Sequence, residues 1–156
     1  PHISDWYLFR FSASPLMPLA FLIFFVCSLA ETNRAPFDLG EAESELIAGF
    51  HTEYSGMGFG VFFMGEYANI VIGCSLATVL FLGGWQSPIG VGSGWWWFLL
   101  KVYALIVCVM WVRWTYPRTT LWGLLNLSWK VLIPISLFNL LLTGATLKLW
   151  SYLMGA

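Results

Sequence analysis

The sequence has little charge and little metal-binding or disulfide-forming chemistry. Its 156 residues include 7 Lys or Arg, 8 Asp or Glu and 2 His, against 59% hydrophobic residues and a mean hydropathy of +0.77. This scarcity of charge excludes an ordinary soluble domain. The three cysteines have no paired spacing for a metal or a disulfide framework. There is no glycine-rich nucleotide fingerprint either. We therefore predict no metal site, no bound cofactor and no redox centre in this chain.

Long apolar runs are present instead, and they predict membrane-spanning helices. A helix needs roughly 20 residues to cross a hydrocarbon core of about 30 Å, and backbone in lipid must satisfy its own hydrogen bonds. Four runs fit this requirement, at about residues 14–30, 58–82, 95–112 and 131–153. We predict an all-α integral membrane protein, with about four transmembrane helices in one membrane domain over residues 1–156. Lipid is its expected surrounding, and nucleic acid is not an expected partner.

Tryptophans and loop charges orient these spans. The ten tryptophans lie near the ends of the spans or in the joins between them, as in an interfacial aromatic belt. The loop at residues 83–94 carries no charge, whereas Arg113, Arg118 and Lys130 lie between the third and fourth spans. By the positive-inside rule, the segment at 113–130 and the loop after the first span share the cytoplasmic or matrix side.

Basic residues are nearly absent where the acids concentrate. Residues 31–66 hold most of the carboxylates of the chain, with Arg34 as their one basic neighbour. Crowded carboxylates share protons and titrate as a coupled set, and ionisable groups at a membrane indicate a proton or ion pathway. A solvated acidic loop is the alternative. The acids of this window are Glu31, Asp38, Glu41, Glu43, Glu45, Glu53 and Glu66.

Within the acidic loop at about residues 31–57, a short helix is expected. Asp38 and Glu41 form a capping-box-like pair, which favours a helix start after Pro36. His51 could relay protons, because histidine titrates near neutral pH, although a solvated loop histidine is an equally good interpretation.

Three charges fall inside predicted spans, and one of them, Lys148, lies near the end of the fourth span. Glu66 lies about eight residues into the second span, and an ionised acid there costs on the order of 3 kcal/mol unless it is protonated, paired or hydrated. We expect it to be buried near a polar group. Lys101, in the third span, is a candidate partner of Glu66 or the next relay site.

Several stretches of this sequence resemble a known family. They read AETNRAPFDL at 30–39, EAESEL at 41–46, FFMGEYAN at 62–69 and RWTYPR at 113–118. Together they resemble subunit 1 of respiratory complex I, named the H subunit in bacteria, which belongs to the proton-pumping NADH–quinone oxidoreductase. That family has about eight membrane helices, and the match covers its last four. The resemblance implies a fragment or the product of a split gene, with another chain supplying the N-terminal half.

The resemblance implies a quinone chamber and a proton path. Ubiquinone is the implied substrate, and electrons would reach it from neighbouring subunits. The implied partners are the peripheral-arm subunits at the quinone site and the adjacent small membrane subunits. The implied proton-path residues are the seven acids of the window, with Lys101 added from its position in a span. The implied quinone-chamber residues are Arg34, Phe63, Met64 and Arg113.

The sequence departs from the family pattern at two positions. Thr120 and Trp122 stand where the family usually has Arg and Asp, so a charge network there is in doubt.

Two other functions are alternatives to this one. A membrane anchor of a proton-pumping hydrogenase or formate–hydrogen lyase is the nearest alternative, and a cation channel or transporter is a remote one. The sequence around Glu66 looks more mitochondrial than bacterial, so the expected location is the mitochondrial inner membrane, with the bacterial plasma membrane as the alternative.

Overall fold

All of the regular secondary structure in the described part of the chain is helical. The computed structural model describes residues 6, 8, 16–32, 36–37, 56–88 and 92–153, and these ranges contain no strand. Three helices are long and apolar enough to cross a membrane: Met57–Phe81, Trp95–Thr115 and the continuous Leu121–Leu149. The predicted all-α membrane class is therefore confirmed. The short helix expected in the acidic loop lies outside the described residues.

Helix α1 spans Met17–Glu31, and its 15 residues make it shorter than the other spans. Pro18 lies in its first turn, where the missing N–H costs no hydrogen bond. At the C-terminus of α1, Thr32 makes two hydrogen bonds. The Thr32 hydroxyl donates to the Leu29 carbonyl at 3.0 Å, and the Thr32 N–H donates to the Ser28 carbonyl. At 1.5 Å per residue α1 is about 22 Å long, less than a hydrocarbon core of about 30 Å.

Helix α2 spans Met57–Phe81 and ends at two glycines. Gly83 and Gly84 have φ values of +67° and +56°, in the left-handed region that favours glycine. The Gly84 N–H donates to the Thr78 carbonyl at 3.0 Å, and the Leu82 N–H donates to the same oxygen. The sequence at 83–84 therefore sets the C-terminus of this span.

Helix α3 spans Trp95–Thr115 and is followed by Tyr116 in an extended conformation, as expected before Pro117. Thr120 then caps helix α4, Leu121–Asn126, by accepting from the Gly123 N–H at 3.3 Å. The predicted fourth span, 131–153, therefore begins about ten residues too late.

The fourth span changes helix type near its start. A π-helical stretch covers Leu127–Leu132, and helix α5 covers Ile133–Leu153. The Ile133 N–H donates to the Ser128 carbonyl, five residues back. Pro134 follows, and a proline cannot donate to the carbonyl four residues before it and crowds that group in a regular α-helix. The wider π-helical turn therefore accommodates Pro134.

The described helices pack around one small core. α2 contacts both α3 and α1, and α5 contacts α1. Gly73 lets α1 approach α2 closely, since a Cβ there would lie 2.6 Å from the Ser28 hydroxyl oxygen. Most other apolar side chains are exposed, as expected for faces that meet lipid or further helices. The core residues are Ile70, Cys74, Ala77, Val102 and Leu105.

The tryptophans largely follow the expected belt. Trp95 and Trp96 are exposed at one end of α3, and Trp111 and Trp114 are exposed at the other. Such placement at both ends of a span is typical of membrane–water interfaces. Trp6 differs, because its side chain is buried.

Candidate functional site

Three helices bring charged residues to one end of the bundle, which we call the charged end. Glu31 is the last residue of α1, Glu66 lies nine residues into α2, and Arg113 lies in the last turn of α3. The close contact of Ser28 with Gly73 fixes the level of α1 against α2. Counted along the helix axes from this contact, Glu31 lies about one helical turn from the height of Glu66. Glu31 and Arg113 are exposed, and Glu66 is half-buried. The burial predicted for Glu66 is therefore only partial.

A pair of hydrogen bonds ties the start of the acidic window to this end. The Pro36 carbonyl accepts from the Thr119 N–H at 2.8 Å and from the Thr119 hydroxyl at 2.9 Å. Phe37, the next residue, is buried. The connection after α3 and the start of the acidic window therefore lie on the same side of the membrane, as the loop charges predict.

An apolar cleft between α2 and α3 opens beside Arg113. Its volume is about 280 Å³, and its walls are mostly aliphatic with three larger polar or aromatic groups. Ligand sites typically combine such apolar walls with a few hydrogen-bonding groups, and here a guanidinium and a phenol supply them. The lining residues are Tyr67, Ile70, Val71, Ile106, Val109, Met110, Arg113 and Trp114.

A second cleft lies on the other side of α3, toward α1 and α4. It has a volume of about 520 Å³ and is lined almost wholly by apolar side chains, including Phe37 and Tyr116. Because it carries no charged lining residue, it offers space for an apolar chain but little that would orient a polar headgroup.

The predicted quinone-chamber residues are placed differently from one another. Arg113 lines the smaller cleft. Phe63 is half-buried, with its ring 4.8 Å from that of Phe59, centroid to centroid. Met64 is largely exposed, and neither Phe63 nor Met64 lines the two clefts. Their contact with quinone stays a prediction.

Lys101 lies at the opposite end of the α2–α3 pair and is held by backbone oxygens. Its side chain is 6% exposed. Its Nζ donates to the carbonyls of Leu82 at 2.6 Å, Gly84 at 3.0 Å and Gln86 at 2.7 Å. We call these three oxygens the carbonyl cage. An ammonium group has three donors, so the cage satisfies all of them at a helix C-terminus, where positive charge is stabilised.

Trp6 completes the cage from outside the spans. The Lys101 Nζ lies 4.0 Å from the centroid of the Trp6 ring, a cation–π contact. Glu66 is sixteen residues before Leu82, about 24 Å along the helix at 1.5 Å per residue. The interpretation of Lys101 as the partner of Glu66 is therefore wrong, whereas a role in a proton path stays a prediction.

The sequence does not predict the carbonyl cage, because its oxygens belong to the backbone, which every residue has. It does not predict the contact of Trp6 with Lys101 either, because a tryptophan near a span is equally typical of an interfacial belt. The available signal was the Gly83–Gly84 pair directly after an apolar run, which predicts a helix end with exposed carbonyls.

The two departures from the family pattern have ordinary structural roles. Thr120 caps α4, and Trp122 is exposed. They therefore serve as a helix cap and as part of the tryptophan belt. The predicted site residues that lie outside the described ranges are Arg34, Asp38, Glu41, Glu43, Glu45, His51 and Glu53.

Comparison with known proteins identifies the family. The family model described as NADH dehydrogenase matches residues 2–144. The NADH-quinone oxidoreductase H subunit of Desulfotalea psychrophila is 72% identical over 135 residues, covering 86% of this chain and 40% of that protein. An H subunit of the NADH-quinone oxidoreductase of Geobacter sulfurreducens is 53% identical, covering 94% of this chain and 40% of that protein.

The corresponding H subunit of Carboxydothermus hydrogenoformans is 47% identical, covering 93% of this chain and 40% of its own length. The chain thus spans about two fifths of each of these curated relatives. The relatives are bacterial, so the expected mitochondrial location is not supported. With its sequence motifs, helical membrane fold and these matches in agreement, the chain belongs to the NADH dehydrogenase family, as a partial match to the H subunit of NADH-quinone oxidoreductase.

Proposed function

We propose that this chain is part of the membrane arm of a proton-pumping NADH–quinone oxidoreductase. In that role it would form part of the quinone-binding chamber and the start of an acidic proton path. The relatives carry the name of such an oxidoreductase subunit. The bacterial origin of the relatives favours the bacterial plasma membrane as its location. Its partners would be the other subunits of the complex, including those that deliver electrons to quinone.

The cleft beside Arg113 is the observation that carries the proposal. Quinone has a polar ring with two carbonyl oxygens and a long apolar tail. The Arg113 guanidinium and the Tyr67 hydroxyl can donate hydrogen bonds to ring oxygens, and the aliphatic walls suit an apolar ligand. Glu66 lies next to Tyr67 on the same helix. The cleft and the first acid within a span are thus neighbours.

The proposed chemistry leaves electron transfer to other subunits. Reduction of quinone to quinol takes up two electrons and two protons, and the change of charge beside Glu31 and Glu66 would shift protons along the acids. This chain would then couple the redox step to proton movement through its carboxylates. Protons would leave toward antiporter-like subunits of the membrane arm.

A cleft-filling substitution tests the quinone assignment. Val71 lines the cleft, whereas Val79 lies two turns further along α2 and does not, and both are about half exposed. In the assembled complex, Val71→Trp should raise the KM for quinone by about tenfold, as expected for the loss of a ligand contact worth roughly 1.4 kcal/mol.

The matched variant Val79→Trp should leave the KM for quinone unchanged. Reduction of a hydrophilic acceptor by NADH, taken upstream of quinone, should be normal in both variants. An unchanged quinone KM in assembled Val71→Trp complex would remove the cleft from the quinone chamber.

A further inference from the structure

The second cleft, of about 520 Å³, is a groove that runs along the spans from the charged end into the membrane. On α1 its wall includes Leu22, Val26 and Leu29, which recur at helical spacing and therefore share one face. Leu29 lies near the charged end of α1, and Leu22 lies seven residues deeper, about 10 Å at 1.5 Å per residue. The groove is therefore elongated parallel to the spans.

The π-helical turn forms the opposite wall. Gly123, Leu127 and Leu132 line the groove from α4 and the π-helical stretch. In a regular α-helix, residues five apart point about 140° away from each other. In a π-turn, whose hydrogen bonds join residues five apart, such residues lie nearly one above the other. The bond from the Ile133 N–H to the Ser128 carbonyl is of this kind, so the π-turn brings two leucines to the groove on one face.

The groups that could bind a polar headgroup lie at the mouth of the groove. Its walls carry no charged side chain, so a polar group would have to stay at the charged end. There Tyr116 lines the groove and offers a phenol hydroxyl as a donor. Arg118 is exposed between the lining residues Pro117 and Thr119. Arg118 makes another interaction within the chain, and its five N–H donors allow it to bind a phosphate as well.

The other described charges at this end are of both signs. Lys130 is exposed on the π-helical stretch, and Glu31 is exposed two residues after Leu29. Arg113 lines the smaller cleft on the other side of α3, and Glu66 belongs to α2, which contributes no described residue to the groove. A headgroup with both a phosphate and an ammonium therefore matches the mouth better than a purely anionic one.

The groove is too small for a further spanning helix. A helix with its side chains is about 10 Å wide, so each turn takes up roughly 400 Å³. The groove of about 520 Å³ therefore holds little more than one such turn. An extended hydrocarbon chain is much thinner and fits between the two apolar walls.

We propose that a phospholipid occupies this groove, with one acyl chain between α1 and the π-helical stretch and its phosphate at Tyr116 and Arg118. Basic sites between spans on the cytoplasmic side bind phosphate-bearing lipid headgroups. The tail of a quinone would suit the same walls, but its uncharged ring gains less from a guanidinium than a phosphate does. Because Phe37 also lines the groove, the lipid would pack against the start of the acidic window. This proposal does not depend on the quinone assignment of the smaller cleft.

A high-resolution density map of the assembled complex, purified with its native lipids, tests the proposal. The expected result is a branched density with one acyl chain against Leu22 and Leu132. Its phosphate should lie within hydrogen-bond distance of the Tyr116 hydroxyl or the Arg118 guanidinium. A protein segment in the groove, an unbranched density that ends in a quinone ring, or an empty groove would each overturn the proposal.

Substitutions on opposite walls make the test independent of either one. Leu22→Trp and Leu132→Trp should each fill the groove, remove the lipid density and lower the phospholipid retained by detergent-washed complex, measured by mass spectrometry. The matched control is Leu137→Trp, because Leu137 is 57% exposed, close to the 59% of Leu22, and lines neither cleft. It should retain as much phospholipid as the unchanged complex. If the lipid density persists in both groove variants, the groove is not its binding site.

Discussion

The two ends of the α2–α3 pair hold their charges in opposite ways. At one end, Lys101 is 6% exposed and donates to three backbone carbonyls. At the other, Glu66 is half-buried and Arg113 is exposed beside an open cleft. In the sequence, Lys101 and Glu66 look alike, as single charges inside apolar runs. Their surroundings separate them into a structural cation held by backbone oxygens and a half-buried acid one residue from the cleft-lining Tyr67.

This contrast separates a charge that the fold holds in one place from a charge that can change its contacts. A cation whose donors are all satisfied by fixed carbonyls cannot move without breaking those bonds. An acid near an open cleft can change partners at lower cost. We therefore expect substitutions at the Lys101 end to lower stability and substitutions at the charged end to lower turnover.

The largest expected effect is that of Lys101→Met. Methionine keeps most of the apolar stem but leaves the oxygens of Leu82, Gly84 and Gln86 without their donor. Each buried acceptor left without its donor costs about 1–3 kcal/mol. The amount of assembled complex and its thermal stability in detergent should both fall sharply.

The control for this variant is Lys148→Met, which removes an exposed cation and should change neither quantity. If Lys101→Met complex assembles with normal stability but loses proton pumping, Lys101 acts in the proton path and the comparison of the two ends breaks down.

A smaller loss of stability is expected for Gly83→Ala at the same end. Gly83 has φ of +67°, and a Cβ would lie 3.0 Å from the Trp6 Cδ1 and 3.0 Å from the Gln86 Oε1. The left-handed conformation alone costs an alanine roughly 1–2 kcal/mol. The contact with Trp6 adds to this by disturbing the ring against Lys101.

Gly84→Ala separates the cost of the left-handed backbone from the cost of the contact with Trp6. Gly84 has φ of +56°, but a Cβ there meets nothing within 4 Å. Its thermal destabilisation should therefore reflect the backbone conformation alone and be smaller than that of Gly83→Ala. Equal destabilisation by the two variants would show that Trp6 is not a fixed part of the cage.

The membrane fold could be predicted from sequence because length and hydropathy determine where a helix can cross lipid. Helices α2 and α3 begin within one residue of the predicted spans. The start of the fourth helix was missed, since it depends on the Thr120 cap and on a segment with Trp122, Asn126 and Lys130 that lowers the local hydropathy. A threonine before an apolar run is a cap signal that could have found it.

The candidate site could be predicted only in part, because it depends on the register between helices. The family motifs gave Glu66 and Arg113 separate roles. The sequence alone could not place a residue 47 positions later at the level of Glu66. The Lys101 assignment failed for the related reason that backbone carbonyls, which satisfy it, have no signature in the sequence.

At the charged end, Glu66→Gln should change turnover without changing stability. The amide keeps the shape of the side chain but cannot carry a proton as the acid does. Quinone-dependent NADH oxidation should fall by about tenfold, below the roughly 10²–10⁴-fold contribution of a group that transfers protons at the reacting centre itself. The amount of complex and its reduction of an upstream hydrophilic acceptor should be normal. A loss of assembled complex would give Glu66 the structural role assigned here to Lys101.

The smallest expected effect is that of Thr119→Val, which weakens the link between the acidic window and the charged end. Valine keeps the shape of threonine and the N–H bond to the Pro36 carbonyl at 2.8 Å, but it loses the hydroxyl bond at 2.9 Å. One neutral hydrogen bond contributes about 0.5–1.5 kcal/mol. Thermal stability should fall slightly, with a modest decrease in quinone-dependent turnover, since the start of the acidic window is held less firmly.

Thr115→Val is the matched control, because its hydroxyl donates only to the Trp111 carbonyl within α3. This bond is local and exposed, so its loss should affect neither stability nor turnover. If Thr119→Val behaves like Thr115→Val in both assays, the hydroxyl bond to Pro36 contributes nothing to the charged end. The position of the acidic window would then depend on the backbone bond and on the burial of Phe37.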